Sequence, residues 1–295
     1  MSVAPAPCLM VQGTASGAGK SLLVTALCRL FARAGYAVAP FKSQNMALNA
    51  AVAADGGEIG RAQAAQAEAA GVDATVDMNP ILLKPEGELR SQLVVRGAAA
   101  VTVDFASYQR MAPRLLDVVA ASLARLRARH DLVIIEGAGS PAEINLADTE
   151  IVNMRIARLA DAPVLLAGDI DRGGVFAALV GTLALLAPDD RARVAGFLIN
   201  RFRGDRRLLE AGLDLLTART GVPVLGVVPM LEERLVPAED SLDLAEIAAG
   251  AGRDGGEAVL DVAVVCLPRI SNFDDVEPLA DEPGVRVRFA RTPGA

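Results

Sequence analysis

The sequence predicts a doubly wound α/β fold, with a mostly parallel sheet between two helical layers, followed by the start of a second, smaller α/β unit. Three observations carry this. Short apolar runs alternate with longer stretches of helical period. Hydrophobic residues make up 52% of the 295 residues and aromatics 3%, so an Ala/Val/Leu core must fill one large domain. Polar clusters recur at the ends of the apolar runs, where sheets of this kind gather their ligands.

Taken in order, a strand is expected at 8–11 and a helix at 20–34, with a glycine-rich turn between them. A strand at 37–41 ends in Lys42-Ser43-Gln44-Asn45, and a helix at 58–70 follows the loose Asp55-Gly56-Gly57-Glu58. A strand at 92–95 and a long helix at 105–129 lead to a strand at 132–135 that ends in Glu136-Gly137-Ala138-Gly139. After a helix at 152–160, the strand at 164–167 runs into Asp169-Ile170-Asp171-Arg172. A helix at 175–186, a strand at 194–199 ending in Asn200-Arg201, a helix at 206–219 and a strand at 224–228 complete the series. The Ala-, Gly- and charge-rich stretch 248–258 reads as a linker. Beyond it a strand at 261–267, a short helical or turn segment at 275–280 and a strand at 285–289 begin a β-α-β unit. That unit is too small to bury a core of its own.

The most specific segment is Gly13-Thr14-Ala15-Ser16-Gly17-Ala18-Gly19-Lys20-Ser21. Strand, glycine-rich loop and helix in succession let backbone N–H groups surround phosphate oxygens, and the helix N-terminus adds partial positive charge. Lys20 would reach the outer phosphates, and the Ser21 hydroxyl would ligate Mg²⁺. Five residues separate Gly13 from Gly19, one more than the usual loop carries. The fold class is therefore that of a P-loop NTPase.

Composition narrows the partners. Net charge is −7 with no lysine-rich tract, so neither nucleic acid nor an anionic membrane is an expected partner. The N-terminus lacks a signal peptide's basic start and apolar core, and no uncharged run reaches membrane-spanning length, which points to a cytoplasmic protein. Cys8, Cys28 and Cys266 are widely spaced in apolar segments and read as buried small hydrophobes. His130, the single histidine, is expected at a helix end. Arg125, Arg127 and Arg129 read as a solvated helix end complementing the dipole.

Phosphoryl transfer with Mg²⁺ wants a loop hydroxyl, one or two carboxylates and phosphate oxygens. Glu136, at a strand end followed by Gly-Ala-Gly, is the candidate ligand beside Ser21, with Glu58 or Asp55 as the second carboxylate. Lys42 would neutralise charge between a phosphate and a carboxylate substrate. Asn145 and Asn200 are strand-end amides suited to an adenine edge or a carboxamide, and turn formation competes for Asn145.

With these residues in hand, the modified loop, Lys42, Glu136, Asn200 and Pro223-Val224-Leu225-Gly226-Val227-Val228-Pro229 resemble dethiobiotin synthetase and its relatives. Longer blocks resemble the cobyric acid synthases: Gln44-Asn45-Met46-Ala47-Leu48-Asn49, Gly57-Glu58-Ile59-Gly60-Arg61-Ala62-Gln63, Met78-Asn79-Pro80-Ile81-Leu82-Leu83-Lys84-Pro85, the run 136–146 and the run 169–177. The resemblance implies an ATP-dependent amidotransferase of cobalamin biosynthesis. Such an enzyme amidates the b, d, e and g carboxylates of adenosylcobyrinic a,c-diamide through acyl phosphates, with nitrogen from glutamine or ammonia. It implies Thr14, Gly17, Gly19, Lys20 and Ser21 on the nucleotide, Asn200 at adenine, and Ser21, Glu136 and Glu58 (rather than Asp55) on Mg²⁺. Lys20, Lys42 and Glu136 would be the catalytic residues, with Gln44, Asn45 and Asn145 facing the substrate.

The family adds a C-terminal class I glutamine amidotransferase domain with a nucleophilic cysteine and a later histidine. Here the expected division is 1–247 for the synthetase domain, 248–258 for the linker and 259–295 for an incomplete start of that domain. Cys266 lies in the first strand rather than a sharp turn, and no histidine follows, so no glutaminase activity is expected of this chain alone. A separate glutaminase subunit and a homo-oligomer are the further partners considered. The alternatives are a cobyrinic acid a,c-diamide synthase-like or dethiobiotin-synthetase-like ligase, a partitioning-type nucleotide switch, or a non-catalytic remnant. The switch usually opens its loop with Lys-Gly-Gly, where this chain has Gln12-Gly13-Thr14.

Overall fold

A computed structural model describes residues 4–87, 89–146, 149–231, 259–267 and 270–290. Its centre is a six-stranded, wholly parallel sheet in the order β12-β11-β10-β1-β9-β2. The strands are β1 (Cys8–Gly13), β2 (Val38–Phe41), β9 (Leu132–Glu136), β10 (Val164–Asp169), β11 (Val194–Phe202) and β12 (Val224–Pro229). Central strands of such a sheet are covered on both faces, which is why they read as unbroken apolar runs. On one face Val11, Ile134 and Ala167 pack with Leu23, Val24 and Cys28 of α1 (Lys20–Arg33). On the other, Met10, Val133, Ile135 and Leu166 meet Leu115, Val119 and Leu123 of α3 (Phe105–Arg127) and Leu179 and Leu183 of α5 (Val175–Leu185). Helices α4 (Met154–Ala160), α6 (Pro188–Arg191) and α7 (Glu210–Thr220) complete this part of the molecule.

The segment between β2 and α3 departs from expectation. It contains β3 (Gln44–Met46), β4 (Ala50–Val52), β5 (Glu58–Gly60), α2 (Arg61–Ala70), β6 (Ile81–Pro85), β7 (Ser91–Val95) and β8 (Ala98–Val103). The strand expected at 92–95 exists as β7, but it sits in a separate sheet, β3-β6-β7-β8, antiparallel to both neighbours. Its turn into β8 is a two-residue hairpin in which Arg96 and Gly97 both take positive φ, 47° and 78°. The helix expected from residue 58 begins only at Arg61, because Glu58–Gly60 pairs antiparallel with Ala50–Val52. Glu58 is thus a strand residue, not a helix-capping acid.

Past the undescribed residues, β13 (Leu260–Val265) and β14 (Val285–Ala290) form a two-stranded parallel sheet, with α8 (Glu277–Ala280) between them. The linker expected at 248–258 lies outside the described residues. The C-terminal unit docks on the main body. The Asn272 N–H donates to Asn49 Oδ1 at 2.6 Å, the Ala50 N–H donates to Asn272 Oδ1 at 3.2 Å, and Arg61 pairs with buried Asp274 at 2.8 Å.

Cys8 and Cys28 are buried as expected, and burial pushes their thiols up to about 11 and about 12, whereas Cys266 is only half-buried and lies just past β13 rather than inside it. The arginine-rich end of α3 does not match its expectation. Arg125 grips Asp77 with two nitrogens at 2.8 and 2.7 Å, and Arg127 donates to the Ala6 carbonyl at 2.7 Å, so both hold the fold together rather than simply facing water. Among the described residues, no helix is long and apolar enough to cross a membrane.

Candidate functional site

Strand β1 ends at Gly13, and the turn that follows is anchored where the Thr14 N–H donates to Ala167 of β10 at 2.9 Å. Helix α1 opens at Lys20 with no side-chain cap and no acid in its first turn, leaving its first N–H groups for an anion. Gly19 has φ 86°, and a Cβ there would stand 2.1 Å from Asn200 Nδ2, so any other residue would be strained and would have to displace that amide. The Lys20 ammonium lies across the loop, donating to Ala15 and Gly139 carbonyls at 3.0 Å and to Ser16 at 3.3 Å. Carbonyl partners satisfy the charge and are readily exchanged for phosphate oxygens.

Glu136 is the hub. Parallel register sets it level with Val11 in β1, and sets Ile135 opposite Phe41, so Lys42 emerges beside it. One carboxylate oxygen, Oε1, accepts from Ser21 Oγ at 3.0 Å and Lys42 Nζ at 2.8 Å; the other accepts from Gln66 Nε2 at 2.6 Å. Burial works against the charge. The Lys42 charge and hydrogen bond, the Gln66 amide and the Lys20 charge outweigh it, holding the carboxyl below its ordinary 4.5. The acid is ionised at neutral pH and points at the loop hydroxyl.

The other expected residues divide. Asn200 sits at the loop, its Nδ2 donating to the Ala18 carbonyl at 3.0 Å while its buried Oδ1 has no partner. Arg201, at the strained φ of 59°, pairs with Asp169 at 2.9 Å. Gln44 accepts a hydrogen bond from the Tyr108 hydroxyl, and buried Asn45 donates to Gln63 Oε1 at 3.2 Å. Glu58 is taken by Lys84, and Asp55 accepts from the Val76 N–H at 3.2 Å. Among the described residues, neither acid bonds Ser21 or Glu136. Asn145 is exposed in the single turn Ile144–Leu146.

Several contributors were missed from the sequence. Asn153 holds the loop behind Glu136, donating to the Ala138 carbonyl at 2.6 Å and accepting its N–H at 3.2 Å. Gln63 and Gln66 come from an alanine-rich helix; Gln63 closes the run 57–63 without having been read as a site residue, and no motif marks Gln66. Arg172 reaches over the loop: a Cβ on Gly17 would stand 3.2 Å from its guanidinium. It lies in the polar cluster at 169–172 and in the run 169–177, neither of which singled it out as a site residue.

The set fits Mg²⁺ with a nucleotide. Magnesium is usually bound through one or two carboxylates plus substrate phosphates rather than by a full protein cage. Among the described residues no group of three or more His, Cys, Asp or Glu gathers to hold a metal, whereas one hydroxyl and one ionised carboxylate meet at the loop. The unpaired buried oxygens of Gln12, Gln66 and Asn200 leave hydrogen-bonding capacity unused nearby.

Cobyric acid synthase from Sorangium cellulosum is 66% identical over 285 residues, covering 97% of this chain and 54% of that protein. The enzyme of the same name from Dehalococcoides mccartyi is 58% identical, covering 99% and 56%. The signal recognition particle receptor FtsY from Elizabethkingia anophelis is similar in structure at 19% identity and a TM-score of 0.47, covering 80% of this chain and 62% of that one. The chain spans about half the length of the curated relatives it matches. With residues 9–241 matching its signature, the chain belongs to the CobQ/CobB/MinD/ParA nucleotide binding domain family.

Proposed function

We propose that this chain is the ATP-dependent synthetase part of a cobyric acid synthase, converting side-chain carboxylates of adenosylcobyrinic a,c-diamide to amides on the way to adenosylcobyric acid. The observation that carries the reading is the meeting of Ser21, Lys42 and ionised Glu136 on one carboxylate oxygen beside the phosphate loop. The names of the relatives support the substrate class.

A carboxylate is a poor electrophile, since its charge repels nucleophiles and oxide leaves badly. Transfer of the γ-phosphoryl of ATP to a substrate carboxylate oxygen makes phosphate the leaving group; ammonia then attacks the carbonyl carbon and phosphate departs. The loop from Thr14 to Gly19 cradles the phosphates, and Lys20 exchanges its carbonyl partners for outer phosphate oxygens. Asn200 offers its unpaired Oδ1 to the adenine amino group while Nδ2 keeps the loop in place. Ser21 and Glu136 would hold Mg²⁺, with Glu58 favoured over Asp55 as a further carboxylate once it leaves Lys84; the ion spreads the charge moving between phosphoryl oxygens. Lys42, Gln44 and Asn45 steady the incoming carboxylate, with Asn145 as a peripheral contact. Nitrogen comes as ammonia or from glutamine through a glutaminase partner, and the reaction belongs in the cytoplasm with the other soluble steps.

Two measurements test this. Mg·ATP at a hundredfold excess over its Kd is expected to stabilise the chain by about 2.7 kcal/mol in thermal unfolding, and Lys20→Ala to abolish the shift. An ammonia-fed assay should show ATP turnover only when the corrinoid carboxylate is present. Turnover driven by DNA or lipid instead would favour a nucleotide switch, and absence of any thermal shift would favour a non-catalytic remnant.

A further inference from the structure

Gln63 and Gln66 lie one turn apart on α2, both fully buried, and each leaves half of its amide unused. Their orientations follow from their partners. A carboxylate only accepts, so Gln66 must turn Nε2 to Glu136 Oε2, which it meets at 2.6 Å; its Oε1 is left without a donor. Asn45 Oδ1 already accepts the Met46 N–H at 2.9 Å, so Asn45 presents Nδ2 and Gln63 must answer with Oε1, leaving Nε2 unpaired. Each buried orphan carries a desolvation penalty that no hydrogen bond repays. On a helix otherwise built mostly of alanine, Met or Leu would pack at Gln66 without that penalty. Stability alone does not explain a glutamine there.

The division of labour on Glu136 does. Oε1 carries Ser21 and Lys42, so those two restrain one oxygen and leave Oε2 and the tilt of the carboxylate plane unheld. Gln66 seizes the opposite oxygen from another element and fixes the plane. We propose that Gln66 is a positioning residue: it holds Glu136 with Oε1 turned to the loop hydroxyl, in the orientation that receives Mg²⁺ with bound nucleotide. Its free Oε1 then accepts from a water brought in with Mg·ATP. This rests on the nucleotide-binding reading above.

The test is calorimetric titration of Mg²⁺ into the full chain at fixed ATP, together with ATP binding in chelator. Gln66→Met is nearly isosteric and removes the donor. It is expected to raise the Mg²⁺ midpoint about 10- to 100-fold, the range for residues that orient a metal ligand, and to leave ATP affinity without metal within about threefold. Gln63→Met makes the same change on the same buried face without touching Glu136, and should leave the midpoint where it is. If Gln66→Met does not fold, Gln66→Asn keeps the amide one methylene short and should raise the midpoint likewise. A Gln66 variant within twofold of the parent, or a Gln63 variant shifted as much, overturns the positioning role alone. ATP binding by the parent chain that is indifferent to Mg²⁺ overturns the underlying reading as well.

Discussion

Lys42 and Glu136 place opposite charges 2.8 Å apart with almost no solvent at either. Such a pair adds little net stability, but losing one partner strands a buried charge. Lys42→Met is therefore expected to cost about 3–5 kcal/mol in urea unfolding, far more than a surface lysine would. Asp77 offers a cleaner titration. Burial works to raise its carboxyl, and hydrogen bonds from Arg125 and Ser122 with the charges of Arg125 and Arg96 outweigh it, holding it below its ordinary 3.8. A depressed acid stabilises the fold above its unfolded pKa and loses that contribution as pH falls through the lower folded value. The gap in melting temperature between the parent and Asp77→Asn should thus be full at neutral pH and narrow below about pH 4. At this scale the sequence was most legible where a strand end carries a polar side chain to the glycine-rich loop, as at Glu136, Lys42 and Asn200. Arg125 and Gln66 were opaque, since their partners, Asp77 and Glu136, lie 48 and 70 positions away and no local pattern announces either contact.

The helices and strands of the parallel sheet were readable because burial on both faces writes continuous apolar runs. The stretch from Gln44 to Val103 was not. Its strands are three to six residues long, β8 is exposed along nearly its whole length, and the hairpin at Arg96-Gly97 lacks the usual Asn-Gly signal. That hairpin is under tight constraint: a Cβ on Gly97 would stand 2.6 Å from the Gly57 backbone, at a φ that disfavours side chains. Gly97→Ala is expected to destabilise by about 1–3 kcal/mol, read as a lowered urea midpoint with unchanged slope. Because Glu58 donates its N–H to the Gly97 carbonyl, the strain would pass directly to the strand that carries Glu58.

At the scale of the whole molecule, the described residues attach the C-terminal unit through Asn272, to Asn49 and Ala50, and through Asp274, to Arg61. Leu260, Val265 and Leu267 remain more than half exposed on a sheet of only two strands, which cannot stand alone. Cys266 lies just past β13, with its N–H donating to the Ala290 carbonyl at 2.9 Å, and His130 is the single histidine, far back in the sequence. Purified chain incubated with glutamine is accordingly expected to release no glutamate.

The tie between Asp274 and Arg61 has a mechanical meaning. Arg61 is the first residue of the helix whose sixth is Gln66, so a stiff rod about 8 Å long connects that mooring to the acid at the loop. The same short helix thus holds the C-terminal unit at its first turn and the Glu136 carboxylate one turn further on, so a displacement of the one would be carried along a rigid element to the other.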